Sequence, residues 1–191
     1  MAIANNLKDS AIEAIGDYLI AAKMCIDTRK PNGSILGYPA ALLLLCATDA
    51  IGQAVLPPDK KQNIRLDVLA EPPFGLMLKP EQIDNLKDWY RNWLAHSGLI
   101  APSMGLTPDA DGEPFDFDPT SGALRFIRVP VFYAVVRDAW KRLDETTFKP
   151  VGMRKQPENL TVQQREFLAG LGSAASGVIF PPRLQSPGGK P

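Results

Sequence analysis

Apolar residues recur at helical spacing in four stretches of this chain. From about Asn5 to Arg29, Ile12, Ile15, Leu19, Ala22 and Ile26 fall three or four positions apart, while Lys8, Glu13, Asp17, Lys23 and Asp27 lie mostly elsewhere on the wheel. That pattern predicts an amphipathic helix, capped by Asn5 or Asn6. Lys30-Pro31-Asn32-Gly33-Ser34 breaks it. The second stretch, about Pro39 to Leu56, is apolar nearly all round, and such a helix needs neighbours over most of its surface. It is therefore expected at the centre of a bundle. Pro57-Pro58-Asp59 ends it. In the third, about Pro80 to Ser97, the stripe is Ile83, Leu86, Tyr90, Trp93 and Leu94, with Pro80 suited to the first turn and Gly98 to the position past the end. The fourth runs from Pro130 to about Glu145, with Val131, Ala134, Val135, Asp138, Ala139, Arg142 and Leu143 arranged as an apolar face beside a polar one and Trp140 as an anchor.

Between the third and fourth helices the period switches from 3.6 to 2. Leu99 to Leu106 can be extended, Asp109-Ala110-Asp111-Gly112-Glu113 reads as a turn, and Pro114 to Asp118 alternates as a strand. Pro119-Thr120-Ser121-Gly122 is a second turn and Leu124 to Val129 a returning strand. The fold class that follows is mostly α, an up-down bundle of about four to five helices with a small inserted antiparallel β-ribbon over about 100–129. Residues 60–79 form a long connector with room for one helical turn, and a connection of that length packs on the surface or has a role. The expected division is a helical domain over 1–150, followed over 151–191 by a short helix and a Pro/Gly-rich tail. In that last part Thr161 and Gln164 have capping-box spacing ahead of Phe167, Leu168 and Leu171.

Composition narrows the chemistry. Lys plus Arg equals Asp plus Glu at 21 each, with a pI near 6.6, so a strongly basic nucleic-acid binder is excluded and any positive field must be local. Cys25 and Cys46 lie in apolar helical stretches without metal spacing and read as buried reduced thiols. Asp109, Asp111, Glu113, Asp116 and Asp118 lack the twelfth-position glutamate of a calcium loop, which leaves turn chemistry as their role. No cofactor and no metal site is expected. The first residues show no basic region leading into an apolar run, and the apolar second helix is interrupted by Thr48, Asp49 and Gln53. A soluble, cytoplasmic chain without a membrane partner is the expectation.

The single histidine, His96, stands at the end of the third helix, and Asn92 shares its face four residues earlier. Arg91 is about 140° round the helix, an angle that a long side chain can cover. Three further side chains could support this set from neighbouring elements: Asp49 in the apolar helix, Asp88 one turn upstream, and Arg137 in the fourth helix. Each also has a plain structural reading. Asp49 can hydrogen-bond a neighbouring helix end, Asp88 can pair with Arg91 or His96, and Arg137 can be a solvated helix-face arginine.

Arg91-Asn92, three residues and His96, near the end of a helix in an all-α chain, resembles the HEPN (higher eukaryotes and prokaryotes nucleotide-binding) superfamily. The apolar helix from Tyr38 to Gly52 is similar to the buried second helix of many bacterial members. The resemblance covers about Asn5 to Glu145. It implies a homodimer whose paired motifs face each other across a two-fold axis, acting as a metal-independent endoribonuclease, as in the toxin of a toxin–antitoxin or defence pair. RNA or a nucleotide and an antitoxin protein are the implied partners. In that chemistry a neutral imidazole takes the ribose 2′-hydroxyl proton, a guanidinium fork stabilises charge on the phosphate, and Asn92 orients. One histidine does not readily serve as both base and acid; two subunits supply both. Where some toxin members carry a tyrosine two residues beyond the histidine, this chain has Gly98. Two rival readings stay open: a noncatalytic module that binds a nucleotide or a protein, and a helical dimerisation protein in which Arg91 and His96 merely pair with carboxylates.

Overall fold

The computed structural model describes residues 7–56, 64–90 and 104–143, with residues 7–10 described by their backbone alone. All of them belong to the first of two units into which the chain divides, Met1–Gly152. The expected short helix and tail after residue 150 lie outside the described residues.

Helix α1 (Leu7–Asp27) buries Ile15, Leu19, Ala22 and Ile26 of the stripe that its spacing predicts, and leaves Ile12 half-buried. The break after it is a tight reversal. Lys30 and Ser34 close it through a 2.8 Å backbone bond, Gly33 takes a positive φ of 80°, and the Asn32 side chain accepts from the Ser34 amide and hydroxyl. The bridge between Arg29 and Ile35 then lays α2 (Gly37–Val55) back on α1. Ten residues of α2 are buried, among them Ala40, Ala41, Leu44, Leu45, Ile51 and Ala54. They face α1, a later helix over Val129–Arg142, a short strand over Gly105–Thr107 and a 3₁₀ turn, so α2 is the central element. By length and composition alone this helix could also cross a membrane. Burial inside the fold gives a sufficient reason for its apolarity.

The long connector holds the expected single turn, a 3₁₀ helix over Leu66–Ala70. It is more deeply placed than a surface connector, since Leu66, Val68 and Leu69 are all fully buried. Gly52 explains how it comes so close: a Cβ there would lie 2.2 Å from the Arg65 carbonyl oxygen, so only glycine lets the two backbones touch. Helix α3 (Pro80–Asp88) starts with Pro80 in its first turn, and the Gln82 side chain accepts the Lys79 amide at 2.8 Å. It buries Ile83 and Leu86, and Trp89 just beyond is 4% exposed. At residues 89–90 the winding widens to a π-type turn.

The expected ribbon is part of a mixed sheet instead. Strands β2 (Phe115–Phe117) and β3 (Leu124–Arg128) are antiparallel, Phe115 opposite Ile127, as the alternation predicts. But β1 (Gly105–Thr107) pairs parallel to β3 on its other edge, giving the order β1-β3-β2. No periodicity could show this, because parallel pairing is decided by where the chain returns, not by local alternation.

Helix α4 (Val129–Arg142) leaves β3 without a loop, Pro130 in its first turn. Its buried face is Val129, Phe132, Val136 and Ala139, not Val131, Ala134 and Val135, which are half-buried. Phe132 sets this phase by packing on Phe115 with ring centroids 4.8 Å apart. The described residues thus form a mostly helical fold with a small mixed sheet joined to it through Phe115, Leu124, Ile127 and Phe132.

Candidate functional site

Arg91, Asn92 and His96 lie outside the described residues. What the structure describes is the helix that leads to them and the neighbours it rests on. Trp89 and Leu86 hold α3 in the core, and the Tyr90 hydroxyl lies 3.3 Å from the Cys46 sulfur on α2. The phenol is pushed well above its ordinary range, first by burial, then by Cys46, Asp49 and Tyr18. Tyr90 is therefore a neutral hydrogen-bonding peg. The indole Nε1 of Trp89 is buried with no hydrogen-bond partner among the described residues.

Asp49 is committed to the start of the 3₁₀ turn. Its Oδ1 accepts the Arg65 amide at 2.6 Å and, more weakly, the Gln53 side chain at 3.4 Å. Burial raises its pKa, opposed by the Arg65 backbone bond, the Gln53 contact and the Arg65 charge. A carboxylate inside an apolar helix is tolerated because it caps an otherwise unsatisfied amide and sits near a buried guanidinium; Arg65 is 5% exposed. Asp88 is exposed and makes no ion pair among the described residues. Its neighbour Lys87 makes them instead, to Asp67 at 2.7 Å and to Asp84 at 3.5 Å. Arg137 lies outside the buried face of α4, where its Nε donates to Asp138 at 2.8 Å and its guanidinium sits 5.8 Å from the Tyr133 ring. The Asp138 contact raises its pKa and lowers that of Asp138. Of the three supporting candidates, then, Asp88 ends the helix that leads into Arg91, the charge of Asp49 is felt at Tyr90 just beyond it, and Arg137 stands apart on α4.

Two of the five acidic residues between β1 and β3, Asp116 and Asp118, do turn and pairing work through their carboxylates. Asp118 Oδ1 accepts the amides of Thr120 and Ser121 and the Ser121 hydroxyl, while Asp116 pairs with Arg125 at 3.2 Å. Among the described residues no group of three or more His, Cys, Asp or Glu side chains is placed to hold a metal ion. Cys25 and Cys46 are free thiols, half-buried where full burial is the expectation. The Cys46–Tyr90 contact and the buried Arg65 are features that sequence reasoning misses. Forty-four residues separate the first pair, and no spacing rule links them.

No family model, no curated protein and no solved structure matches the chain.

Proposed function

We propose that the chain is a HEPN-like helical domain, an up-down bundle that dimerises and cleaves RNA without a metal. Arg91 stabilises the attacked phosphate, His96 transfers the proton, and Asn92 orients the imidazole or binds a phosphate oxygen. The supporting observation is the anchoring of the residue before Arg91. Tyr90 is held against Cys46 on the central helix, and Trp89 is buried beside it. A catalytic arginine loses much of its effect when it is misplaced by about 1 Å, and a segment that starts from the bundle centre starts from a fixed point.

Purified protein is expected to degrade RNA in the presence of EDTA, and His96→Ala or Arg91→Ala to abolish this with the circular dichroism spectrum unchanged. Equal residual cleavage by both variants overturns the assignment. The even balance of charge, 21 against 21, favours a second reading in which the same residues bind a nucleotide or a partner protein without turnover. Tight nucleotide binding with intact RNA supports that one. In either case we expect a homodimer in the cytoplasm, with an antitoxin protein as a candidate partner.

A further inference from the structure

The span between the 3₁₀ turn and α3 faces the outer edge of the sheet across a groove of about 350 Å³, which is within the ~300–1,000 Å³ typical of ligand sites. Its lining comes from residues 75–78, Gln82, residues 113–115 and Phe117 and takes nothing from β3, so it lies along the edge of β2 that β3 does not cover. Leu76, Met77 and Leu78 form one wall, Phe115 and Phe117 the other. Met77 is 100% exposed at the rim of this wall, next to the half-buried Leu76 and Leu78.

The backbone of β2 is turned the same way. Arg128 donates its amide to Pro114 and Asp118 donates to Ala123. Alternation along an antiparallel strand then directs the amide and carbonyl groups of Phe115 and Phe117 away from β3. Those groups have no backbone partner among the described residues. An edge of this kind is a template for one more strand.

One charge marks the groove. Glu113 is exposed and makes no ion pair among the described residues. Its backbone is held by Arg128, whose Nη1 donates to the Glu113 carbonyl at 2.9 Å and sets one positive charge against the loop. Asp109 and Asp111 are exposed in the same loop and add to the negative field.

From these features we infer that the groove binds an extended peptide segment of a partner protein, which adds as a strand beside β2. Main-chain bonds run to Phe115 and Phe117, alternate apolar side chains enter between Leu76, Met77, Leu78 and the two phenylalanines, and a Lys or Arg side chain meets Glu113. This docking is independent of RNA cleavage and stands whether or not Arg91 and His96 are catalytic.

Panning a displayed library of random peptides on the full chain, followed by an anisotropy titration of the most enriched peptide, tests it. Enriched peptides are expected to alternate apolar residues with polar ones and to carry Lys or Arg at one end. Met77→Glu should weaken binding about tenfold or more, and Glu113→Lys should shift the preference to peptides ending in Asp or Glu. Both side chains are exposed, so neither variant endangers the fold. Amide exchange at Phe115 and Phe117 should slow on binding. The inference is overturned by an absence of enrichment, or by peptides that bind both variants as tightly as the parent. It is equally overturned if those two amides are already protected in the chain alone, by its own tail or by a second copy.

Discussion

Asp49 and Asp118 do the same local job in two different regions of the molecule. In the helical region, Asp49 sits inside α2 and gives an oxygen to the Arg65 amide at the start of the 3₁₀ turn. In the sheet region, Asp118 is partly exposed just after β2 and gives an oxygen to Thr120 and Ser121. Burial dominates at the first and raises its pKa; hydrogen bonds dominate at the second and lower it. The helical region is therefore held by apolar packing that offsets its few polar contacts, whereas the sheet's hairpin is held by turn chemistry and attached through an apolar seam and the Asn85 amide, which donates to Gly122 at 3.0 Å.

The largest expected effect comes from breaking that seam. Phe132→Ala removes a fully buried ring that touches Phe115, and a loss of about 3–5 kcal/mol in denaturant unfolding is expected. If hydrogen exchange shows β3 and α2 losing protection together, the two regions are one cooperative unit. If β3 opens alone, they are not.

Gly52→Ala strikes the helical region only. The new methyl would stand 2.2 Å from the Arg65 carbonyl, so the 3₁₀ turn must shift, at about 1–3 kcal/mol. A thermal melt unchanged from the parent would show that the backbones do not cross as closely as described. Asp49→Ala leaves the Arg65 amide without its acceptor and should cost about 1–3 kcal/mol.

The smallest effect is in the pH dependence, and the two aspartates differ in sign. The folded pKa of Asp49 lies above its unfolded value of about 3.9, so between the two the native state holds the extra proton. Its contribution to stability falls as pH rises through that window. The folded pKa of Asp118 lies below the unfolded value, so its contribution is present above about 3.9 and is lost as pH falls towards the folded value. A carbon-13 titration of the side-chain carboxyl groups should place Asp49 above Asp118, and the reverse order would dissolve the contrast.

Much of the helical region is legible in the sequence, because burial there follows a period. The stripe of Ile15, Leu19, Ala22 and Ile26, the apolar circumference of α2 and Pro80 at the head of α3 all come from spacing and capping rules. The face of α4 does not, since both of its candidate stripes are apolar. Phe132 and Phe115 choose between them, and they are neighbours only after folding. The hairpin of β2 and β3 is readable from alternation and its turns, while the parallel partner β1 is not, because the pairing is non-local. At the candidate site the sequence shows an arginine, an asparagine and a histidine. It does not show that Tyr90 meets Cys46 or that Asp49 is occupied by Arg65, since those contacts depend on how helices distant in the chain are set together.

The central helix touches the chain on both sides of the Arg91-to-His96 segment. Tyr90 contacts Cys46 midway along α2, and Leu106 of β1 packs against Gly37 at its start, where a Cβ would lie 3.2 Å away. Nine positions of helix, roughly 14 Å of rise, separate these two footholds. Both described ends of the chain that flank residues 91–103 are thus pegged to one rod, so a substitution at Cys46 or at Gly37 acts on the same helix from opposite ends of that interval.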